Sequence, residues 1–298
     1  MAGLLLGGLS WYLDPVRIWH KLQQLDRSDL WSAAALCSLG ILVQWIKWQR
    51  LLAFFRPQTT WAEGLNSLLI GFALGLVSPG RLGELGRGIL LGGKQSTWVG
   101  LSAVDRLCSA AICVTLGWVG SVFLYPSAAQ AALALGILFA GLAGLARARL
   151  SRGLRQWEWL GRIAAVIGQT PGRVWLQVCL WSVLFNLIFF VQFYILLASW
   201  GSLPTGALWG IPLFFGLKVL LPFSIMDLGV REGVAVLVFT PLQLDPTVAF
   251  NAAFLQFILN VLIPGLAGWL LLGGQLYRRL GRGIFRKGPS ALSLDMRP

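Results

Sequence analysis

Apolar runs longer than the roughly 18 residues that mark a membrane span recur along the whole 298-residue chain. A soluble domain has no core large enough to bury several such runs. Hydrophobic residues make up 57% of the chain and charged residues 12%, against about 25% charged in an ordinary soluble domain. A β-barrel would need short segments of alternating polarity, which the sequence lacks. The chain therefore reads as an all-α polytopic membrane protein, a single integral membrane domain over 1–298.

Charge inside such runs is expensive, about 2.5–3.5 kcal/mol per group at a helix centre. The stretch Leu65–Leu91 nevertheless carries Arg81, Glu84 and Arg87 within Ser78-Pro79-Gly80-Arg81-Leu82-Gly83-Glu84-Leu85-Gly86-Arg87. A related stretch follows far downstream, Pro222-Phe223-Ser224-Ile225-Met226-Asp227-Leu228-Gly229-Val230-Arg231-Glu232-Gly233. Both run from Pro to acid-Leu-Gly and then Arg. Intramembrane charges persist where they pair or face a polar cavity, so these two stretches are the candidate site.

Taken in order, Met1–Leu13 is apolar but short and reads as a shortened first membrane helix, followed by an interfacial connection over Asp14–Asp29. Leu30–Phe55 is a full span, and its Trp45, Lys47, Trp48, Arg50 and Arg56 read as a cytoplasmic interface. Trp61–Gly92 holds the first motif as two half-length helices, because Pro79 and three glycines interrupt it. Leu101–Leu124 and Ser127–Ala146 form a hairpin across the bilayer. The arginines of 147–173 give the strongest positive-inside signal. Trp175–Trp200 crosses outward, Leu208–Pro241 carries the second motif and is expected to break at Pro212, Pro222 and Gly229, and Asp245–Leu272 returns. If Arg56 and Arg147 both lie inside, each motif segment must enter and leave on one side. The expectation is about six full spans plus two opposed re-entrant hairpins, arranged as an inverted repeat. The chain is placed in the plasma (inner) membrane, with 147–173 and the basic tail 275–298 in the cytoplasm.

The net charge of +13 concentrates in loops and the tail, where it meets anionic headgroups, so no nucleic acid is expected. Cys37, Cys108, Cys113 and Cys179 lie in apolar runs and read as small buried hydrophobes. His20 is the one histidine, so neither a metal site nor a Ser-His-Asp set can be assembled. No phosphate-binding Gly-Lys loop is visible, and no cofactor is expected.

Pro79-Gly80-Arg81-Leu82-Gly83-Glu84 with Arg87, then Asp105-Arg106-Leu107, Leu221-Pro222-Phe223-Ser224 and Gly229-Val230-Arg231-Glu232-Gly233, resemble the flippase-like membrane family. Its best-known member is the membrane domain of lysylphosphatidylglycerol synthase. The resemblance extends over about 30–272 and implies a domain that moves lipid or lipid-linked headgroups between leaflets. The residues after Leu272 are too few for an aminoacyl-transfer domain, so lysyl transfer is not implied. The chain departs from the family pattern at Gly75, where members often carry Asn, and at Asp227, where they usually carry Gly.

On this reading Arg81, Arg87 and Arg231 take a headgroup phosphate, since a guanidinium can grip phosphate with two hydrogen bonds. Glu84, Glu232 and Asp227 orient those arginines or bind an amine; Asp227 is equally a structural cap or a proton-coupling acid. Lys218 is either a phosphate contact or a snorkelling lysine. Pro79, Ser224, Asp105 and Arg106 are secondary. Asp105 and Arg106 diverge by about 100° on a helix, so one is expected at the site and the other at the interface. Asn186 and Gln192 read as interhelical hydrogen bonds, and Gly71-x-x-x-Gly75 as helix packing. The partners expected are membrane lipids, whether anionic or aminoacylated phospholipid or a polyprenyl-linked lipid, and a homodimer is left open. The chain reads as a non-enzymatic lipid translocator; the alternatives are an intramembrane enzyme using Glu84 and Glu232 as acid and base, and a non-catalytic partner of a lipid-synthesis enzyme.

Overall fold

A computed structural model describes residues 2–92, 95–127, 130, 168–221 and 228–286, and over these the chain is helical without strands. The helices are α1 (Ala2–Tyr12), α2 (Pro15–Gln23), α3 (Arg27–Phe55), α4 (Trp61–Leu76), α5 (Gln95–Leu124), α6 (Gly172–Ala198), α7 (Ala207–Leu220), α8 (Val230–Phe239), α9 (Pro246–Phe257) and α10 (Ile263–Arg286). A 3-10 helix spans Leu82–Leu90, and a π-helical turn over Ile258–Leu262 joins α9 to α10. Among the described residues, four helical stretches are long and apolar enough to cross a membrane: Arg27–Phe55, Gln95–Leu124, Gly172–Ala198 and Pro246–Gln275. The second arm of the expected hairpin at Ser127–Ala146 and the basic connection that follows fall almost wholly outside the described residues.

Short polar residues start the helices where the sequence places them. Asp26 accepts the Ser28 N–H at the head of α3, and Asp245 accepts the Thr247 N–H at the head of α9. Thr60 and Glu63 cap α4 reciprocally: Thr60 Oγ1 accepts the Glu63 N–H, and Glu63 Oε2 accepts the Thr60 N–H.

The two shorter apolar helices, α4 and α7, each begin a hairpin. After α4 the chain turns through Gly80 and Arg81, both left-handed (φ 54° and 57°), and Ser78 Oγ fastens the turn by accepting the Gly83 N–H at 2.6 Å. The returning arm is not the second α-helix expected from sequence. It is a nine-residue 3-10 helix, and with three residues per turn it stacks Arg81, Glu84 and Arg87 on one face. It runs back along α4, so that Glu84 lies over Gly75 and Arg87 over Gly71. In the second hairpin α8 returns along α7, with Phe239 packed on Phe214 and over Gly210. Pro212 does not break α7, contrary to the sequence expectation; α5 covers it at Gly117 and Gly120, which let the two backbones meet.

The long helices exchange partners. α5, which follows the first hairpin, packs Gly117 and Gly120 onto α7 of the second. α10, which follows the second hairpin, packs Gly265 and Gly268 onto Leu76, Ala73 and Leu69 of α4 in the first. Both crossings are antiparallel and both use glycines three residues apart, and α3 packs on α6. A phenylalanine core fills the second half, where Phe193 and Phe214 stack with centroids 4.6 Å apart.

Candidate functional site

The hairpin turn gathers a connected set of six charges. Glu84 stands at one end with three arginines around a single carboxylate. Arg81 pairs with Oε1, while Arg87 and Arg106 each reach Oε2 at 2.9 Å. Arg87 then bridges to Asp105, its Nη1 lying 2.8 Å from Oδ2. Asp105 Oδ1 in turn meets Lys47 Nζ at 2.8 Å. Lys47 also donates to Ser109 Oγ on α5 and Ser182 Oγ on α6. The set therefore ties α3, α5, α6 and the hairpin together.

The interior of this set is closed. Arg87 is fully buried, its guanidinium over the Trp48 ring (5.4 Å to the centroid). Trp48 Nε1 donates to Ser67 Oγ, and Ser67 Oγ donates to the Arg87 carbonyl. A Cβ at Gly71 would strike the Arg87 stem, and one at Gly75 would press on Glu84 Cγ. These glycines thus do more than pack helices, the role read for them from sequence: they leave the space in which the two charged side chains lie.

Only two members of the set open outward. The Arg81 side chain is 18% exposed and the Arg106 side chain 30%, against 5% or less for the other four. Arg106 donates to the Arg81 carbonyl at 2.8 Å and the Gly80 carbonyl at 3.4 Å, seating its guanidinium on the left-handed turn. Arg81 Nε is buried without a hydrogen-bond partner. This pair forms a cationic rim over a closed ionic interior.

Set against the sequence expectations, Arg81, Glu84, Arg87, Asp105 and Arg106 come together beside the Pro79 turn. Asp105 and Arg106 both join, contrary to the expected split. The short Asp105 reaches Arg87, and the long arm of Arg106 swings round α5 to Glu84. Lys47 and Trp48, read as interface residues, are buried inside the bundle. Asn186 bonds within its own helix, to the Ser182 carbonyl. Gln192 does bond between helices, to the Ala33 carbonyl and Asn260. Of the cysteines, Cys37 and Cys113 are buried, while half-buried Cys108 and Cys179 bring their sulfurs 3.5 Å apart.

The second motif is built differently. Glu232 is fully buried and accepts the Gly229 N–H at 2.7 Å, holding the start of α8. Arg231 is buried with its guanidinium 5.4 Å from the Phe257 ring centroid, and Lys218 lies over Phe215. Ser224 and Asp227 lie outside the described residues. Phe257 clusters with Leu76, the last residue of α4, and Leu228 packs against the same cluster. The two hairpin ends therefore converge on Phe257.

The described residues hold no group of three or more metal-ligating side chains. A family model described as the lysylphosphatidylglycerol synthase TM region matches residues 1–268. No curated protein and no solved structure matches the chain.

Proposed function

The chain belongs to the family of the lysylphosphatidylglycerol synthase TM region, and from that premise we propose that it is a lipid translocator that opens a polar groove between the two hairpins. It is a multi-pass membrane protein with a lipid-related function. The observation that carries the finer reading is the six-charge set at the hairpin turn, closed within and open at the Arg81–Arg106 rim. Building such a set into an apolar bundle costs several kcal/mol per ion before pairing, and intramembrane charge of this kind marks a pathway or binding site.

The rim guanidiniums take the headgroup phosphate, while Arg87 and Asp105 hold the turn in place. Glu232 gives one oxygen to a backbone N–H and keeps the other, Oε1, buried without a hydrogen-bond partner, whereas Glu84 is engaged by three arginines. The engagement of Glu84 favours binding over acid–base chemistry. The exchange of partners between the long helices and the hairpins supports an inverted repeat with re-entrant hairpins. In that arrangement rocking of one repeat against the other opens the groove to each leaflet in turn. No nucleotide-binding motif stands in the sequence, so movement is passive or coupled to an ion.

The test is leaflet accessibility. Vesicles holding the purified protein and a fluorescent phospholipid are bleached from outside with an impermeant reductant. Loss well beyond the outer-leaflet share supports translocation; loss equal to that of protein-free vesicles, for phospholipid and polyprenyl lipid alike, would overturn it.

A further inference from the structure

Cys108 on α5 and Cys179 on α6 bring their sulfurs 3.5 Å apart, and both are half-buried free thiols. Their neighbours hold the two helices in register. Ser109, the next residue on α5, donates at 3.2 Å to Ser182 Oγ, three residues beyond Cys179 on α6. Lys47 Nζ donates to both hydroxyls. The helices thus meet at adjacent rungs, a thiol pair and a hydroxyl pair, fastened by one ammonium group. A disulfide sets its sulfurs about 2.0 Å apart, so the pair has only about 1.5 Å to close. Cys37 and Cys113 are placed differently: Cys37 donates to the Leu259 carbonyl, and Cys113 packs in the phenylalanine core.

From this we infer that Cys108 and Cys179 are a reversible redox modification site, whose cross-link between α5 and α6 locks the two halves of the bundle together. The lock rests on the translocator reading, in which the halves rock. In chain order α5 closes the first half, after the hairpin begun by α4, and α6 opens the second, before the hairpin begun by α7. Cys108 stands one turn beyond Asp105, so the bond would also fix the stretch of α5 that brings Asp105 and Arg106 to the charge set. The oxidant is an organic hydroperoxide, the class formed in oxidised lipid. Both cysteines lie on helices long and apolar enough to cross a membrane, and such a peroxide enters the hydrocarbon layer. One thiol attacks the O–O bond, which breaks to leave an alcohol and a sulfenic acid. The other thiol attacks the sulfenic sulfur, the S–S bond forms and water leaves. The sulfur pair loses two electrons, the peroxide gains them, and the two thiol protons end on the alcohol and the water. Excess dithiol reverses the bond by exchange.

The experiment reads the bond apart from transport. The purified full chain in detergent is treated with cumene hydroperoxide, its remaining thiols are counted after denaturation, and linked peptides are identified by mass spectrometry. The wild-type count is expected to fall from four to two with a Cys108–Cys179 peptide, and dithiothreitol should restore it; C108A should yield no linked peptide. Any wild-type result without the Cys108–Cys179 peptide overturns the inference. The oxidised and reduced proteins are then reconstituted, and lipid movement is read by albumin extraction of a short-chain fluorescent phospholipid, which needs no reductant. Cross-linked wild type should move lipid roughly tenfold more slowly than the reduced protein, with the rate recovered in dithiothreitol, whereas C108A should be equally fast with and without hydroperoxide treatment. Equal rates in cross-linked and reduced wild type, or equal slowing in C108A, overturn the lock. A chain that cross-links but moves no lipid when reduced would overturn the translocator reading and leave the modification site standing; transport in a chain that forms no cross-link would do the reverse.

Discussion

Lys47 Nζ lies 2.8 Å from Asp105 Oδ1, and neither side chain is more than 2% exposed. Asp105 thereby neutralises a lysine on α3 and, through its other oxygen, Arg87 on the hairpin. Removing one partner of a buried pair strands the other. D105N should cost about 3–5 kcal/mol, read as a large fall in the thermal unfolding temperature in detergent, and K47M should cost less because Arg87 remains to hold Asp105. A D105N protein as stable as wild type would show that the network is not formed.

Gly71 provides the space for the Arg87 stem. G71A should destabilise the chain by about 1–3 kcal/mol, the usual range for overpacking. G273A is the control, since a Cβ there meets nothing within 4 Å. Equal melting of the two variants would place Arg87 elsewhere.

Arg87 uses both ends of its guanidinium, Nη1 on Asp105 and Nη2 on Glu84. A lysine keeps the charge but, with a single nitrogen in place of a planar fork, cannot reproduce the two separate contacts of Nη1 and Nη2. R87K should therefore insert in the membrane and lose most lipid movement, with a drop of more than about tenfold. Full activity in R87K would reduce Arg87 to a point charge.

Arg81 adopts a left-handed backbone at φ 57°, which costs a residue with a side chain roughly 1–2 kcal/mol relative to glycine. R81G relieves that cost while giving up one of three arginines around Glu84. Its unfolding free energy should stay within about 1 kcal/mol of wild type, while lipid retention and movement fall. Loss of stability without loss of lipid handling would make Arg81 structural.

The first motif was legible because Arg81, Glu84 and Arg87 interrupt an apolar run around a proline and glycines. Charge in such a run must be satisfied, and the structure satisfies it there. Lys47 was not legible for the opposite reason. It stands near the basic, tryptophan-rich end of α3, where a lysine ordinarily meets headgroups, and only the return of Asp105 on α5 makes it interior. The joining of Asp105 with Arg106 escaped because helical spacing fixes the direction of Cβ but not the reach of an arginine. The 3-10 form of Leu82–Leu90 follows from packing on Gly71 and Gly75 rather than from local propensity. Pro212 carried a break signal that the close approach of Gly117 and Gly120 overrides. The polar contact of Gln192 with Asn260 could be anticipated only in kind, since the π turn that presents Asn260 leaves no mark in hydrophobic spacing.

The central claim is that the Arg81–Arg106 rim handles lipid in the course of moving it. The most direct measurement compares wild type with the R81Q/R106Q double variant in vesicles labelled with fluorescent phosphatidylglycerol and bleached from outside. Near-complete bleaching with the wild-type chain and protection of the inner-leaflet half with the variant is the predicted result. Equal bleaching in both, at equal amounts of folded protein, would contradict the account.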